Sequence, residues 1–187
     1  MNPIATFELK NGEIFRAELL PEAAPNTVNS FIYLARLGCY DNYAIQRIVP
    51  HSWIDLSYSA FGKPEARYFI DNEAPLQHHQ RITAGMMCMG GYSICDIAGG
   101  ELFFPLRDCP DLEGCYPVLG LIREGMDVLE GMADADTYPV TIASMPDVEI
   151  HTPVTPIVIA KVTVETFGVA YPMPRRRPPI PCPEKWR

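Results

Sequence analysis

Apolar and polar residues alternate at the start of the chain. In residues 4–9 the odd-numbered positions carry Ala, Phe and Leu, whereas the even-numbered positions carry Ile, Thr and Glu. A period of two predicts a β-strand with one buried face. Asn11-Gly12 is a favoured pair for a type I′ turn and leads into a second apolar-rich segment, residues 14–20. The pattern therefore predicts an antiparallel β-hairpin.

The apolar spacing then changes to that of helices. Pro25 suits the first turn of a helix and Gly38 can end it. The apolar stripe between them consists of Val28, Phe31, Ile32 and Ala35. Residues 125–132 predict a second, shorter helix. We expect each helix to cover an apolar surface of the domain.

Short strand-like segments fill the rest of the chain and are separated by Gly, Pro and Asp. They are residues 43–49, 53–58, 84–89, 101–106, 118–122 and 157–167. Such spacing predicts a β-barrel or a β-sandwich. Residues 134–156 contain four prolines and are interpreted as a surface loop.

Composition and charge narrow the classes of function. The 187 residues suffice for one domain with its own core. The net charge of -8 argues against nucleic-acid binding, which depends on Lys and Arg that neutralise phosphates. No apolar segment reaches the roughly twenty residues of a membrane-spanning helix. We expect a soluble, cytoplasmic protein that binds neither nucleic acid nor membrane.

Six cysteines raise the question of disulfides or metal sites. None forms a Cys-x-x-Cys pair, and without a secretory context we expect reduced thiols. His78 and His79 are adjacent in sequence, which does not by itself place both rings around one ion. We expect neither a metal ion nor another cofactor.

The composition changes after Gly168. The last segment is dense in Pro and Arg, so it cannot continue a sheet and favours an extended polyproline II geometry. We therefore divide the chain into a domain of residues 1–168 and a tail of residues 169–187. The tail either packs on the domain or serves as a recognition motif for a partner.

Four segments occur in the order and near the spacing of one protein family. They are residues 5–50, residues 99–104 (GGELFF), residues 111–122 (DLEGCYPVLGLI) and residues 123–132 (REGMDVLEGM). On these segments the chain resembles the cyclophilin-type peptidyl-prolyl cis-trans isomerases. The resemblance implies a mainly β fold, a closed eight-stranded antiparallel β-barrel capped by two α-helices.

The resemblance assigns the catalytic role to Arg47, which is followed by the family's Ile-Val-Pro pattern. Rotation about an X-Pro bond is slow because the amide has double-bond character. In the twisted transition state the prolyl nitrogen regains a lone pair, so a fixed cationic donor binds that state best. A guanidinium stays charged at any relevant pH and needs no cofactor.

The resemblance also implies an apolar pocket for the proline ring. Phe104 and Leu112 match the family, whereas Ser52 replaces an aromatic wall that Trp53 could refill. Trp53 and Phe104 could equally be core residues. The other substrate-binding positions implied are Ile45, Met89 and Tyr116.

Asp55 departs most from the family, which has an uncharged glutamine at this position. A carboxylate beside Arg47 can orient the guanidinium or compete with the substrate for it. Asp111 replaces the tryptophan that contacts cyclosporin in the family, so we expect weak or no cyclosporin binding.

Two functions remain open, besides a barrel that binds an unrelated ligand. The first is a peptidyl-prolyl isomerase of reduced activity that acts in protein folding on proline-containing peptides or unfolded clients. The second is a module that binds proline peptides with weak or no catalysis, because Ser52 and Asp55 have remodelled the groove. The environment of Arg47 should distinguish these alternatives.

Overall fold

The computed structural model describes residues 1–56, 68–78, 80–91, 97–141 and 149–178. Two helices, α1 (Pro25–Arg36) and α2 (Met126–Ala133), accompany two short 3-10 helices at Ala74–Gln77 and Pro110–Leu112. The strands are β1 (Ile4–Leu9), β2 (Ile14–Leu19), β3 (Tyr43–Ala44), β4 (Arg47–Val49), β5 (Trp53–Leu56), β6 (Ile70–Asp71), β7 (Met86–Met89), β8 (Ile97–Ala98), β9 (Leu102–Pro105), β10 (Val118–Glu124), β11 (Thr137–Val140), β12 (Ile150–Pro153) and β13 (Val158–Glu165).

One curled antiparallel sheet dominates the fold. Within the described ranges it has eleven strands in the order β11-β12-β4-β5-β9-β7-β10-β2-β1-β13-β3, and β6 pairs with β8 separately. Ala44 ends β3 at one edge of the sheet, and Arg47 begins β4 near the other. Only two residues separate them, and three Cα–Cα steps span at most about 11 Å. The sheet therefore curls until these two strands lie close together.

The mainly β, antiparallel fold with two helices is confirmed, but its details differ from the prediction. The segment 43–49 forms two strands rather than one. No ladder between β3 and β4 occurs in the part of the chain that the structure describes, so the sheet is strongly curled rather than a closed eight-stranded barrel. The predicted alternation in β1 is correct, since Ala5, Phe7 and Leu9 are all buried.

Aromatic rings fill the interior of the curled sheet. Phe7 stacks on Phe15 with ring centroids 4.5 Å apart, and Phe104 meets both rings edge-on at 5.5 and 5.3 Å. Phe31 of α1 packs on Phe7 at 6.1 Å. The apolar stripe of α1 therefore covers this interior, as the helical spacing predicts. Neither α1 nor α2 is long and apolar enough to cross a membrane, and no other described helix is.

The first hairpin forms as predicted, but its turn is of another type. A type I′ turn needs positive φ at both central residues. Gly12 has a φ of +90°, whereas Asn11 is not among the described residues with positive φ. The Gly12 N–H donates to the Leu9 carbonyl at 2.9 Å, so Lys10 and Asn11 are the central residues of the turn.

A distant carboxylate caps the start of α1. The residue before the helix is Ala24, which has no side chain to accept from the first N–H groups. Glu73 accepts instead from the backbone N–H of Asn26 at 3.1 Å and of Thr27 at 2.7 Å, and from the Thr27 hydroxyl at 2.8 Å. The helix is thereby fixed to the segment that follows β6.

Residues 134–156 are not a simple surface loop, as the sequence suggested. β11 pairs with β12, and His151 of β12 lies opposite Ile48 of β4. The Thr152 hydroxyl adds a hydrogen bond to the Gln46 carbonyl at 2.8 Å. This hairpin extends the sheet beside the strand that begins with Arg47.

The start of the tail lies against α1. Tyr171 packs on the core and Pro174 is buried. The Asn26 side chain exchanges hydrogen bonds of 2.8 and 3.0 Å with the Arg175 backbone. The Arg176 guanidinium lies 5.0 Å from the Tyr33 ring centroid and 4.1 Å from that of Tyr68. Residues 179–187 of the tail lie outside the described residues.

Four of the six cysteines lie in the part of the chain that the structure describes. Cys39, Cys88, Cys109 and Cys115 are thiols, and the first three are buried. Cys95 and Cys182 lie outside the described residues.

Candidate active site

Strand register brings Arg47 into one row with residues from three other strands. Arg47 lies opposite Asp55, Asp55 opposite Phe103, and Phe103 opposite Cys88. Residues that are directly opposite share one face of a sheet, and neighbours along a strand point to the other face. The adjacent row, with Ile54 opposite Phe104, is fully buried in the interior. The Arg47 row therefore lies on the outer face.

Two carboxylates contact one nitrogen of the Arg47 guanidinium. Nη2 of Arg47 donates to Oε1 of Glu101 at 3.2 Å and lies 3.5 Å from Oδ1 of Asp55. The side chains of Arg47, Asp55 and Glu101 are only 7%, 13% and 11% exposed. Arg47 is thus held from two sides rather than extended into solvent. No three His, Cys, Asp or Glu side chains among the described residues are grouped to hold a metal ion.

Backbone contacts fix Glu101 beside Arg47. The preceding carbonyl, of Gly100, accepts from the Tyr40 hydroxyl at 2.9 Å, and the Glu101 carbonyl accepts from the Gly90 N–H at 2.8 Å. A Cβ at Gly90 would lie 3.1 Å from the Cβ of Glu101, so glycine leaves room for this side chain. The carboxylate is consequently held in place before any substrate arrives.

The protonation of Asp55 is shifted by this environment. Burial raises the pKa of the Asp55 carboxyl to about 7; the Arg47 guanidinium opposes this rise, and the Glu101 carboxylate adds to it. Asp55 is therefore the group of the site that changes charge near neutral pH.

An apolar cluster adjoins the Arg47 row. Phe103 meets Trp53 with ring centroids 6.3 Å apart and Tyr116 at 5.2 Å, both edge-on. Leu112 packs against the same cluster, which also contains Cys88. Burial raises the pKa of the Cys88 thiol well above its ordinary value, so Cys88 acts here as an apolar side chain. Trp53, Leu112 and Tyr116 are partly exposed, as the walls of a pocket would be.

Ser52 does not leave an empty space where the sequence indicated a missing aromatic wall. Its hydroxyl accepts from Nε of Arg107 at 3.1 Å, and its carbonyl accepts from the Leu106 N–H at 2.8 Å. The side chain of Arg107 therefore lies at the rim of the cluster, beside Trp53.

Three of the predicted substrate-binding residues lie elsewhere. Ile45, Met89 and Phe104 belong to the interior core and are 3%, 0% and 0% exposed. They cannot line an outer pocket without a rearrangement of the sheet. In β9 the period of two places Phe103 on the outer face with Arg47, whereas Phe104, which the sequence assigned to the pocket, points into the core.

Glu101 and Phe103 are the site residues that sequence reasoning missed. A usable signal was present, because Glu101 and Phe103 alternate with Leu102 and Phe104. Once Leu102 and Phe104 are assigned to the core, the other two residues must share the outer face.

The sequence of the chain matches one protein family. The family model described as "Cyclophilin type peptidyl-prolyl cis-trans isomerase/CLD" matches residues 4–164. The chain belongs to the cyclophilin family. Among cyclophilin relatives, peptidyl-prolyl cis-trans isomerase B of Bacillus subtilis is 30% identical over 132 residues, which are 70% of this chain and 90% of that protein.

One further relative is a longer protein, and another is similar in structure at low sequence identity. Peptidyl-prolyl cis-trans isomerase-like 2 of Gibberella zeae is 31% identical over 139 residues, and the match spans only 23% of that protein. A cyclophilin type isomerase of Cryptosporidium parvum superposes with a TM-score of 0.70 at 18% identity, over 89% of this chain and 99% of that chain. A second structure of that protein, in the presence of the dipeptide Ala-Pro, gives a TM-score of 0.69 at 19% identity, over 87% and 99% of the two chains. These likenesses show the cyclophilin fold.

Proposed function

We propose that the protein is a peptidyl-prolyl cis-trans isomerase in which Arg47 is the catalytic donor. The observation that carries the proposal is the register of the sheet. It places the Arg47 guanidinium in one row with Asp55 and Phe103, next to an apolar cluster that includes Trp53 and Tyr116. Membership of the cyclophilin family supports the same function.

In this proposal the cluster binds the proline ring and Arg47 acts on the adjoining amide. Phe103, Leu112 and the edges of Trp53 and Tyr116 offer an apolar surface for the ring. The guanidinium donates to the prolyl nitrogen as the amide twists, because the lone pair of that nitrogen is available only in the twisted state. No nucleophile or cofactor takes part.

The substrate class follows from the pocket and the charge of the site. We propose X-Pro bonds in peptides and unfolded clients, with a role in protein folding in the cytoplasm, where buried thiols such as Cys88 remain reduced. The exposed Asp111 gives no apolar surface at the position that the resemblance links to cyclosporin. Weak or absent cyclosporin binding is therefore part of the proposal.

One observation favours the second candidate, a proline-peptide binding module. Arg47 is 7% exposed and contacts two carboxylates, so a substrate must compete with both for the guanidinium. A site of this kind could bind the proline ring in the apolar cluster without a productive contact to Arg47.

Exchange NMR on an Ala-Pro peptide with wild type, Arg47→Ala and Arg47→Lys tests the proposal. Loss of a donor aimed at developing charge commonly costs on the order of 10²–10³ in rate. We expect at least a tenfold loss of kcat/KM in Arg47→Ala and partial retention in Arg47→Lys, which keeps the charge but not the planar fork. Equal rates for wild type and Arg47→Ala would exclude Arg47 from the mechanism. Peptide binding without acceleration would establish the binding module instead.

A further inference from the structure

Two carboxylates contact the same nitrogen of the Arg47 guanidinium. In the proposed function this guanidinium must also donate to a substrate. Both Glu101 Oε1 and Asp55 Oδ1 lie within 3.5 Å of Nη2. Burial of the site opposes ionisation of Asp55, and the ionised Glu101 carboxylate adds to this effect. Such pairs bind one proton at a higher pH than an isolated carboxyl does, and the proton belongs to the pair.

The two acids are not equivalent. Glu101 accepts a hydrogen bond from Nη2 at 3.2 Å, and its backbone is fixed on both sides by Tyr40 and Gly90. Asp55 lies farther from Nη2, at 3.5 Å, and makes an ion pair without hydrogen-bond geometry. The geometry favours ionised Glu101 as the permanent partner of Arg47. Protonation of Asp55 therefore weakens the contacts of Nη2 less than protonation of Glu101 would.

Other titratable groups near the site have different partners. From β7, Cys88 faces Phe103 in the same row. On β12, His151 lies opposite Ile48, and its ring nitrogens bind the Thr137 hydroxyl at 2.8 Å and Glu149 at 2.7 Å. His151 is thus the neighbouring imidazole that must be tested separately.

We propose that Glu101 is a positioning residue for Arg47 and shares a proton with Asp55, so that isomerisation becomes faster as the pH falls through neutral. The proposal rests on the isomerase function of the same site. With both acids ionised, two carboxylates compete with the substrate for Nη2. With Asp55 protonated, ionised Glu101 still orients the guanidinium, and the neutral carboxyl of Asp55 can donate its O–H to the substrate.

The test is the pH profile of kcat/KM on acetyl-Ala-Ala-Pro-Ala-amide, a peptide without titratable groups, measured by exchange NMR. For wild type we expect kcat/KM at about pH 6 to exceed that at about pH 8.5 by roughly fivefold or more, since the protonated fraction changes steeply around the pKa of the pair. Asp55→Asn should give a flat profile near the high wild-type value. A flat wild-type profile, or an unchanged slope in Asp55→Asn, would overturn the proposal.

Variants of Glu101 and His151 test whether Glu101 orients Arg47 and whether His151 causes the pH dependence. Glu101→Gln keeps an acceptor for Nη2 but removes the like charge, so the rise in rate should move to lower pH. Glu101→Ala should lower kcat by about tenfold at every pH, because it removes the carboxylate that accepts the hydrogen bond from Nη2. His151→Gln should retain the wild-type profile. Loss of the pH dependence in His151→Gln would assign it to the histidine and refute the shared proton.

A measurement independent of activity separates this proposal from the proposed function. In ¹³C NMR of the carboxyl carbons of wild type, we expect one of the two acids to titrate with a midpoint above about pH 6. Midpoints of both acids below about pH 5 would refute the shared proton, even in an active enzyme. A high midpoint in a protein without activity at any pH would support the shared proton and refute the isomerase function.

Discussion

Phe103 and Phe104 are adjacent residues of the same type, yet β9 places them on opposite faces of the sheet. Phe104 contacts Phe7 and Phe15 in the interior, whereas Phe103 contacts Trp53 and Tyr116 at the candidate site. The resemblance to the family assigned the pocket to Phe104. The pleat of the strand instead places Phe103 on the face that carries Arg47.

Alanine variants of these two residues provide a matched pair. Phe104→Ala should lower the free energy of unfolding by about 3–5 kcal/mol, because it leaves a cavity in a packed core. Phe103→Ala should cost less stability and lower kcat/KM on an Ala-Pro peptide by at least roughly tenfold, because it removes a wall of the pocket. Denaturant titration and the isomerase assay measure the two effects. A larger catalytic loss in folded Phe104→Ala would reverse the assignment.

Single residues of the site could be identified from the sequence only where a motif marked them. Arg47 stands in a recognisable sequence pattern. Asp55 lies in the next predicted strand, and the structure brings it into contact with Arg47. Glu101 is 54 residues from Arg47 in the chain. Its contact depends on the pairing of β5 with β9 and on Gly90, and neither can be derived from local composition.

At the scale of elements, proline content misled the sequence analysis of residues 134–156. Proline removes a ladder hydrogen bond, so a segment rich in proline favours a loop. At the edge of a sheet this loss costs little, because one side of the strand has no partner. β11 is such an edge strand, and it accommodates Pro139 opposite His151. The period-two and helical patterns elsewhere, by contrast, predicted β1, β2, α1 and α2 correctly.

The carboxylate of Glu73 should determine the stability of α1. It accepts three hydrogen bonds from Asn26 and Thr27 at the start of a helix whose own cap position is alanine. Glu73→Ala should therefore lower the free energy of unfolding by about 1–3 kcal/mol, since buried N–H groups lose their partners. Thermal unfolding measures the effect.

The control for this prediction is Glu22→Ala, an exposed acid close to the start of the same helix. Its replacement should change stability by less than about 0.5 kcal/mol. Equal effects of the two substitutions would show that Glu73 stabilises α1 only through its negative charge and not through its three hydrogen bonds.

At the scale of the whole molecule, the start of the tail links elements that are far apart in the chain. Asn26 of α1 binds the Arg175 backbone, and the Phe69 carbonyl accepts from the Arg177 N–H at 2.7 Å. The composition of the tail indicated an extended segment, but only the fold shows which surface receives residues 169–178. We propose that these residues are a structural strap on a domain of residues 1–168.

Truncation after Gly168 tests the strap against a second possibility, that the tail occupies the substrate groove. The described contacts include three hydrogen bonds of the tail backbone, an ion pair of Arg177 with Asp71 and the stacking of Arg176 on two tyrosine rings. Their loss should lower stability by about 2 kcal/mol, or Tm by roughly 4–8 °C, with kcat/KM unchanged. Arg176→Ala should reproduce part of the decrease in Tm, whereas removal of residues 179–187 alone should leave these contacts intact. A rise in kcat/KM at unchanged Tm in the full truncation would instead identify the tail as a tethered competitor of the substrate.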